Sequence, residues 1–305
     1  MLERIITFDP DHIAKAIIIA STTDPPADVL EVMRLEKMPK GILSITGGTG
    51  KFPAELEQQT RIIIESAIVP LAYEYNLMVI DGGTNAGVIQ IIGDAVEKAR
   101  SIYPQVIGSE APSEFTSRPP LVGFAPRPKV LAPSIEQIEE NSVSLDQNHT
   151  YFILISDVED WGGEVEYMFS FIEYLVLEQN IPALQIIFNG GRITIKEVHY
   201  AVLQHRPVLL LEGSMRAVEV IAAVLDGASR ETITQLLLDK RRNIIEIQQL
   251  EETFEWLSAI REHNRLIERF NIKTQTLNEL RSLILSKLHL ADSHTLSSDD
   301  KSRRK

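Results

Sequence analysis

The chain has 305 residues, 44% hydrophobic and 24% charged, and its 43 Asp and Glu outweigh 30 Lys and Arg to leave a net charge of −13. That length can bury a full core, and the acidic balance excludes sequence-independent nucleic-acid binding, which needs cations to neutralise phosphates. Cysteine is absent, which excludes disulfides, thiolate catalysis and zinc–cysteine sites and is compatible with a reducing compartment.

Met1-Leu2-Glu3-Arg4 leads into a short apolar patch that Asp9-Pro10-Asp11 stops, which is not a signal-peptide pattern. Ala14–Ala20 is the first predicted buried strand. Pro25 and Pro26 then open a helix through Val29, Leu30, Val32 and Met33. The strand Ile42–Ile45 ends in Thr46-Gly47-Gly48. A long helix follows from Pro53 to about Tyr75, with Pro70 expected to kink or divide it. Leu77–Ile80 runs into Asp81-Gly82-Gly83-Thr84-Asn85-Ala86-Gly87, after which Val88, Ile91, Ile92 and Val96 recur at helical spacing. Residues 104–133 hold many prolines and read as irregular around a short strand, Leu121–Phe124. Ser134 and Gln137 have capping-box spacing for a brief helix.

Tyr151–Ile155 is another buried strand, and Trp161-Gly162-Gly163 turns into a helix from Glu164 to about Glu178. Leu184–Phe188 ends in Asn189-Gly190-Gly191, followed by a helix through Val198 and Leu203. The last predicted strand, Pro207–Leu211, reaches Glu212-Gly213-Ser214-Met215-Arg216 and one more helix. Alternation of strand and helix predicts an α/β, Rossmann-like, doubly wound parallel sheet over residues 1–228. Beyond Ser229 no strand is expected. Ile247, Leu250, Phe254 and Leu257 give 3-4-3 spacing, and Thr276 with Glu279 caps a short helix. Residues 229–290 therefore read as an all-helical appendage that either packs on the sheet or serves self-association, so a homo-oligomer is open. Residues 291–305 read as a disordered polar tail. No run of 18 apolar residues occurs, so the expectation is a cytoplasmic protein without membrane insertion.

Three strands thus end in Gly-Gly before a helix. Such turns permit positive φ, remove Cβ atoms that would hold a ligand away, and place helix N-termini toward an anion. In one parallel sheet they would open together at the carboxyl edge, which points to a phosphate-bearing small molecule. Gly47-Gly48-Thr49-Gly50-Lys51 is not a P-loop, because Ile45 and Phe52 stand where glycine and Ser or Thr are required. Glu212–Arg216 lacks the second glycine of a nucleophile elbow, which leaves Ser214 as a helix cap or phosphate-facing hydroxyl. His199 and His205 would not share a helix face, so no metal site is expected. Trp161 could either stack on a base or pack.

Four segments in order carry a resemblance. They are Gly41–Gly48, Asp81–Val96, Asn148–Ile155 with Gly163-Glu164-Val165, and Val208–Arg216. Together the segments resemble the cytosolic N-terminal homology region of melastatin-type TRP channels and its free-standing prokaryotic relatives, within the SLOG superfamily. The LONELY GUY phosphoribohydrolases are more distant kin. The resemblance, over roughly residues 14–226, implies a Rossmannoid sheet that senses a nucleotide-derived ligand, ADP-ribose in some channels.

Carried over by position, Thr46, Gly47 and Gly48, the Gly82, Gly83, Thr84, Asn85 and Gly87 turn, Gly190, Gly191 and Thr194, and Gly213 and Ser214 would surround the ligand. Arg216 would pair with phosphate. The hydrolase relatives carry Pro-Gly-Gly-x-Gly-Thr-x-x-Glu where this chain has Asn189-Gly-Gly-Arg-Ile-Thr-Ile-Lys-Glu197. Ile193 in place of glycine should close part of the backbone approach. Tyr167, Met168, Phe169 and Phe171 occupy a helix where relatives often place arginine, and Arg192 would either supply that charge or face solvent. The expected function is a sensor that requires no cofactor, binds a nucleotide derivative and acts on an effector protein the sequence does not identify. The alternative is a nucleotide N-glycosidase with Glu197 as its catalytic residue.

Overall fold

A computed structural model describes residues 1–48, 53–103, 118–241 and 244–290. The second half of the Gly47–Lys51 run and the tail expected to be disordered lie outside these residues.

The chain opens with a strand that the sequence reading missed. β1 (Leu2–Asp9) pairs antiparallel with β2 (His12–Ile19). β1 has an exposed edge, so it lacks the continuous apolar run that marks a buried strand. α1 (Pro26–Met33) follows, then β3 (Gly41–Gly47). The predicted long helix is divided as expected, into α2 (Ala54–Ile63), a wide π-helical turn (Ile64–Ile68) and α3 (Val69–Tyr75). Pro70 has no N–H to donate, and the wider turn directly ahead of it absorbs the break in the ladder.

β4 (Leu77–Asp81), α4 (Gly87–Arg100) and β5 (Leu121–Pro126) come next. Residues 134–137 form no helix. Ala132 and Ile135 make an antiparallel bridge around Ser134, whose φ of 63° is incompatible with the first turn of a right-handed helix. The short strands β6 (Val130–Leu131) and β7 (Val143–Ser144) pair beside it. β8 (Tyr151–Ile155), α5 (Glu164–Glu178), β9 (Ala183–Phe188), α6 (Arg192–Leu203), β10 (Val208–Glu212) and α7 (Ala217–Leu225) complete the alternating part.

After α8 (Arg230–Leu238) and α9 (Leu250–Glu262), Ile267–Asn271 forms β11, parallel to β10, and α10 (Leu277–Lys287) ends the described chain. The expectation of a strand-free C-terminal segment is corrected here. β11 reads Ile-Glu-Arg-Phe-Asn, an edge strand with only Phe270 buried, and so shows no apolar run.

The nine strands run in the order β1-β2-β8-β5-β4-β3-β9-β10-β11, and every pairing but β1–β2 is parallel. Two apolar layers cover the sheet. One packs α2, the π-turn, α3, α4 and α10, and the other packs α1, α5, α6, α7 and α9. From β3 the chain proceeds to β4 and β5 under the first layer. From β9 it proceeds to β10 under the second, in the opposite direction along the sheet. β3 and β9 therefore flank the point where strand order reverses, and a crevice opens beyond their carboxyl ends.

Candidate functional site

A cavity of about 380 Å³ occupies that crevice, within the usual range for small-molecule sites. Of the residues singled out from sequence, Thr46, Gly47, Gly48, Gly82, Thr84, Gly191, Arg192, Thr194, Glu197 and Arg216 line it. Gly83, Asn85, Gly87, Gly190, Gly213 and Ser214 are not among its lining residues.

The glycines do work different from that expected of them. A Cβ on Gly48 would stand 3.1 Å from Arg216 Nη1, and one on Gly191 3.4 Å from Nη2. These two positions make room for the guanidinium of Arg216. A Cβ on Gly47 would meet Val88 at 2.4 Å, so this glycine admits α4 against the sheet. Gly190 has a φ of 85°, and a Cβ there would lie 2.1 Å from Thr194 Oγ1. Much of the space the glycines vacate is filled by the protein's own side chains.

The helix N-termini are likewise partly committed. Val88 N–H donates to Gly48 O, and Ala217 and Val218 donate to the carbonyls of Gly190 and Asn189. These bonds tie α4 and α7 to the neighbouring turns. The α6 terminus is the one that presents consecutive residues, Arg192, Ile193 and Thr194, to the cavity. Ser214 is neither cap nor ligand-facing. Its buried hydroxyl accepts from Asn189 N–H at 2.9 Å and donates to Leu211 O at 2.6 Å, while Arg216 occupies the cap position of α7.

Arg216 sits at φ 51° and follows Met215 at φ 76°, two consecutive residues in a region that L side chains rarely adopt. Such strain persists only where surroundings enforce it. Burial lowers the guanidinium below its ordinary value. Arg192 neither faces solvent nor extends freely into the cavity. It pairs with Glu252 of α9 and stacks over Trp256, 4.5 Å from the ring centroid.

Two carboxyl groups oppose these cations. Burial, resisted by a hydrogen bond with Thr46 and reinforced by Glu164 and Asp81, pushes Glu197 up to about 8. Its Oε2 is buried without a hydrogen-bond partner. Burial also raises Glu164 to about 7, although the Gly162 N–H donates to its Oε2 at 2.6 Å. Glu197 is thus largely protonated near neutral pH and Glu164 about half so, and a protonated carboxyl can donate as well as accept. Thr46 also accepts from Gln185 Nε2 at 2.5 Å.

The sequence reading missed Glu164, Ile45, Ile89, Ile244 and Gln249 as lining residues. In the sequence Glu164 stands out only as the start of a predicted helix and within the Gly163-Glu164-Val165 segment. Ile244 and Gln249 come from the C-terminal part of the chain and close one wall. Trp161 lines the cavity and is 38% exposed, and Ile193 lies between the cavity and Gly162.

Behind the β4 turn lies a buried cluster that was also missed. His149 places Nε2 2.8 Å from Asp81 Oδ1 and Nδ1 3.1 Å from Asp146 Oδ1, and its ring stacks on Phe152. Burial disfavours the imidazolium, but the two aspartates outweigh it and raise the group to about 9. The protonated ring donates to both carboxylates. Asp81 Oδ1 further accepts from Gly83 N–H at 2.7 Å, which clamps the glycine turn on the cavity rim. His149 and Asp146, three residues apart, were the available signal.

The sequence matches the family described as "SLOG in TRPM, prokaryote" over residues 40–115 and 109–255. Among characterised proteins, the chain is 26% identical over 269 residues to the transient receptor potential cation channel subfamily M member 2 of Mus musculus, covering 78% of this chain and 17% of that protein. Against subfamily M member 7 of Homo sapiens it is 27% identical over 233 residues, covering 69% and 12%. Against subfamily M member-like 2 of Nematostella vectensis it is 21% identical over 319 residues, covering 90% and 20%. The chain spans a fifth or less of the length of these relatives, and no helix among its described residues is long and apolar enough to cross a membrane. With a match running from β3 into α9, across the cavity and both of its flanking helix layers, the chain belongs to the SLOG family found in TRPM, in its prokaryotic form.

Proposed function

We propose that this protein is a binding module for a nucleotide-derived ligand, ADP-ribose-like or another phosphorylated nucleoside, seated in the crevice beyond β3 and β9. One observation carries the reading: Arg216, the α6 N-terminus and the buried carboxyls of Glu164 and Glu197, both raised by desolvation, converge on one cavity at the point of strand reversal. An anionic group would take Arg216 and the α6 amides, whose dipole favours negative charge. Ribose hydroxyls suit carboxyl groups able both to donate and accept, and Trp161 offers a face for a base.

A second reading, nucleotide N-glycosidase, is favoured by Glu197 alone. With its carboxyl protonated near neutral pH, Glu197 would serve as a general acid toward the leaving base rather than as a carboxylate stabilising an oxocarbenium ion. Ile193 narrows the approach such chemistry would use.

Thermal denaturation with AMP, ADP, NAD, ADP-ribose and cyclic nucleotides tests both. A ligand at about 100 times its Kd stabilises by roughly 2.7 kcal/mol. A compound that raises Tm and is recovered intact by chromatography supports the module, and recovery as free base plus ribose phosphate supports the hydrolase. Arg216→Ala removes most of the shift in either case; a shift that survives it in full refutes this placement of the ligand.

A further inference from the structure

The sheet ends on one side at β1, and its backbone phase follows from its neighbours. Lys15 N–H donates to Thr150 O, and Ser156 N–H donates to Ile19 O, so the odd-numbered residues of β2 direct their backbone groups toward β8. The even-numbered residues of β2 therefore bond β1. Through the register Leu2↔Ile18, Arg4↔Ala16 and Ile6↔Ala14, the even residues of β1 are the ones bonded inward. Glu3, Ile5 and Thr7 are left with N–H and C=O on the outer edge, and all are exposed.

Natural edges are blunted with charged side chains, proline or bulges; β1 contains no proline or lysine, and its charges, Glu3, Arg4 and Asp9, and the register shift between Thr7 and Asp9 lie to either side of Ile5. Ile5 is instead 48% exposed and Leu2 46% exposed. Both border a surface hollow of about 720 Å³ shared with Ile138, itself 59% exposed.

We propose that β1 pairs antiparallel with β1 of a second copy of this chain, about a two-fold axis at Ile5, joining the two nine-stranded sheets edge to edge. A two-fold normal to the sheet keeps each side chain on its own face, so a residue meets only residues of its own parity in the second copy. Centring on Glu3 or Arg4 opposes like charges, and centring on Ile6 sets Glu3 against Asp9. Centring on Thr7 leaves Glu3 without a partner residue. Centring on Ile5 sets Ile5 against Ile5, Glu3 against Thr7 and Leu2 against Phe8, with no like charges opposed. It also satisfies every outward N–H and C=O of Glu3, Ile5 and Thr7. Each of these centres pairs odd residues with odd and so fits the outward hydrogen-bond phase; charge selects Ile5 among them, and the association does not depend on any ligand.

The absence of native cysteine makes the test direct. Across a hydrogen-bonded antiparallel pair Cα atoms lie about 5.5 Å apart, inside the disulfide range of about 4.4–6.8 Å. In this register two residues at position 3 lie about 14 Å apart, four rises of a strand. Under mild oxidation the full-length Ile5→Cys protein forms a reducible covalent dimer and Glu3→Cys does not. Wild type sediments as a dimer. Thr7→Pro deletes an outward N–H, leaves the β1–β2 ladder intact and sediments as a monomer with an unchanged circular dichroism spectrum. Ile5→Lys gives the same result should Thr7→Pro fail to fold. The proposal is overturned by a wild type that is monomeric at every accessible concentration, by Glu3→Cys cross-linking as readily as Ile5→Cys, or by a folded Thr7→Pro or Ile5→Lys that stays dimeric.

Discussion

Replacing Glu197 by glutamine should make the protein more stable above neutral pH and flatten its pH dependence. The carboxyl ordinarily titrates at 4.5 and is raised to about 8 in the fold, chiefly by burial. An acid whose folded value is raised contributes fully below its unfolded value, and that contribution is lost as pH rises through the folded value. Between pH 4.5 and about 8 the unfolded chain gives up this proton first, so stability declines across that window. At ~1.4 kcal/mol per pH unit the ceiling is about 5 kcal/mol. Screening by solvent that reaches the open cavity reduces this, and about 2–3 kcal/mol is expected. Glutamine keeps the shape and carries no charge, so Glu197→Gln should match wild type near pH 5 and exceed it by that amount at pH 8.5. Urea unfolding of both proteins from pH 5 to 9, compared as differences, isolates the group from every other titration. Parallel curves across the whole range would refute the reasoning, because Glu197 would then be ionised and solvated like a surface carboxyl.

Other positions give complementary outcomes. Gly190→Ala combines a φ of 85° with a Cβ 2.1 Å from Thr194 Oγ1; it should cost about 1–3 kcal/mol in denaturant unfolding and abolish ligand-induced stabilisation. Ser214→Ala leaves the Asn189 N–H without its acceptor and should cost about 1–3 kcal/mol, with ligand affinity changed less than stability, measured by unfolding alongside calorimetric titration. His149→Asn leaves Asp81 and Asp146 without their shared cation and should cost about 3–5 kcal/mol. His149 titrates at about 9 when folded against an ordinary 6.5, so its contribution is full below 6.5 and lost as pH rises through 9. The variant's deficit should accordingly shrink at alkaline pH, as read from melting curves between pH 6 and 10.

The elements flanking the cavity were legible because each carries a strong local signal. β3, β4, β9 and β10 are short, almost wholly buried and mostly apolar runs. The glycine turns that end them mark where strand gives way to helix, and Pro70 announced the break between α2 and α3. β1 and β11 escaped notice because an edge strand buries only one flank. Its residues, such as Glu268 and Arg269 in β11, need not be apolar. The Ser134–Gln137 spacing suggested a helix, but a local capping pattern decides nothing when a bridge between Ala132 and Ile135 imposes positive φ on Ser134.

By itself the sequence determined the alternating architecture and the glycine-rich strand ends, which follow from periodicity and backbone chemistry within a few residues, while the resemblance to the family singled out Arg216 and Glu197 beside them. Tertiary structure alone decided how those groups behave. Gly48 and Gly191 make space for Arg216, Arg192 is held by Glu252 and Trp256 from a helix some 60 residues later, and the carboxyls of Glu164 and Glu197 are raised because burial has removed them from water. Desolvation and long-range pairing are properties of the assembled interior, and no window of sequence contains the partners that produce them.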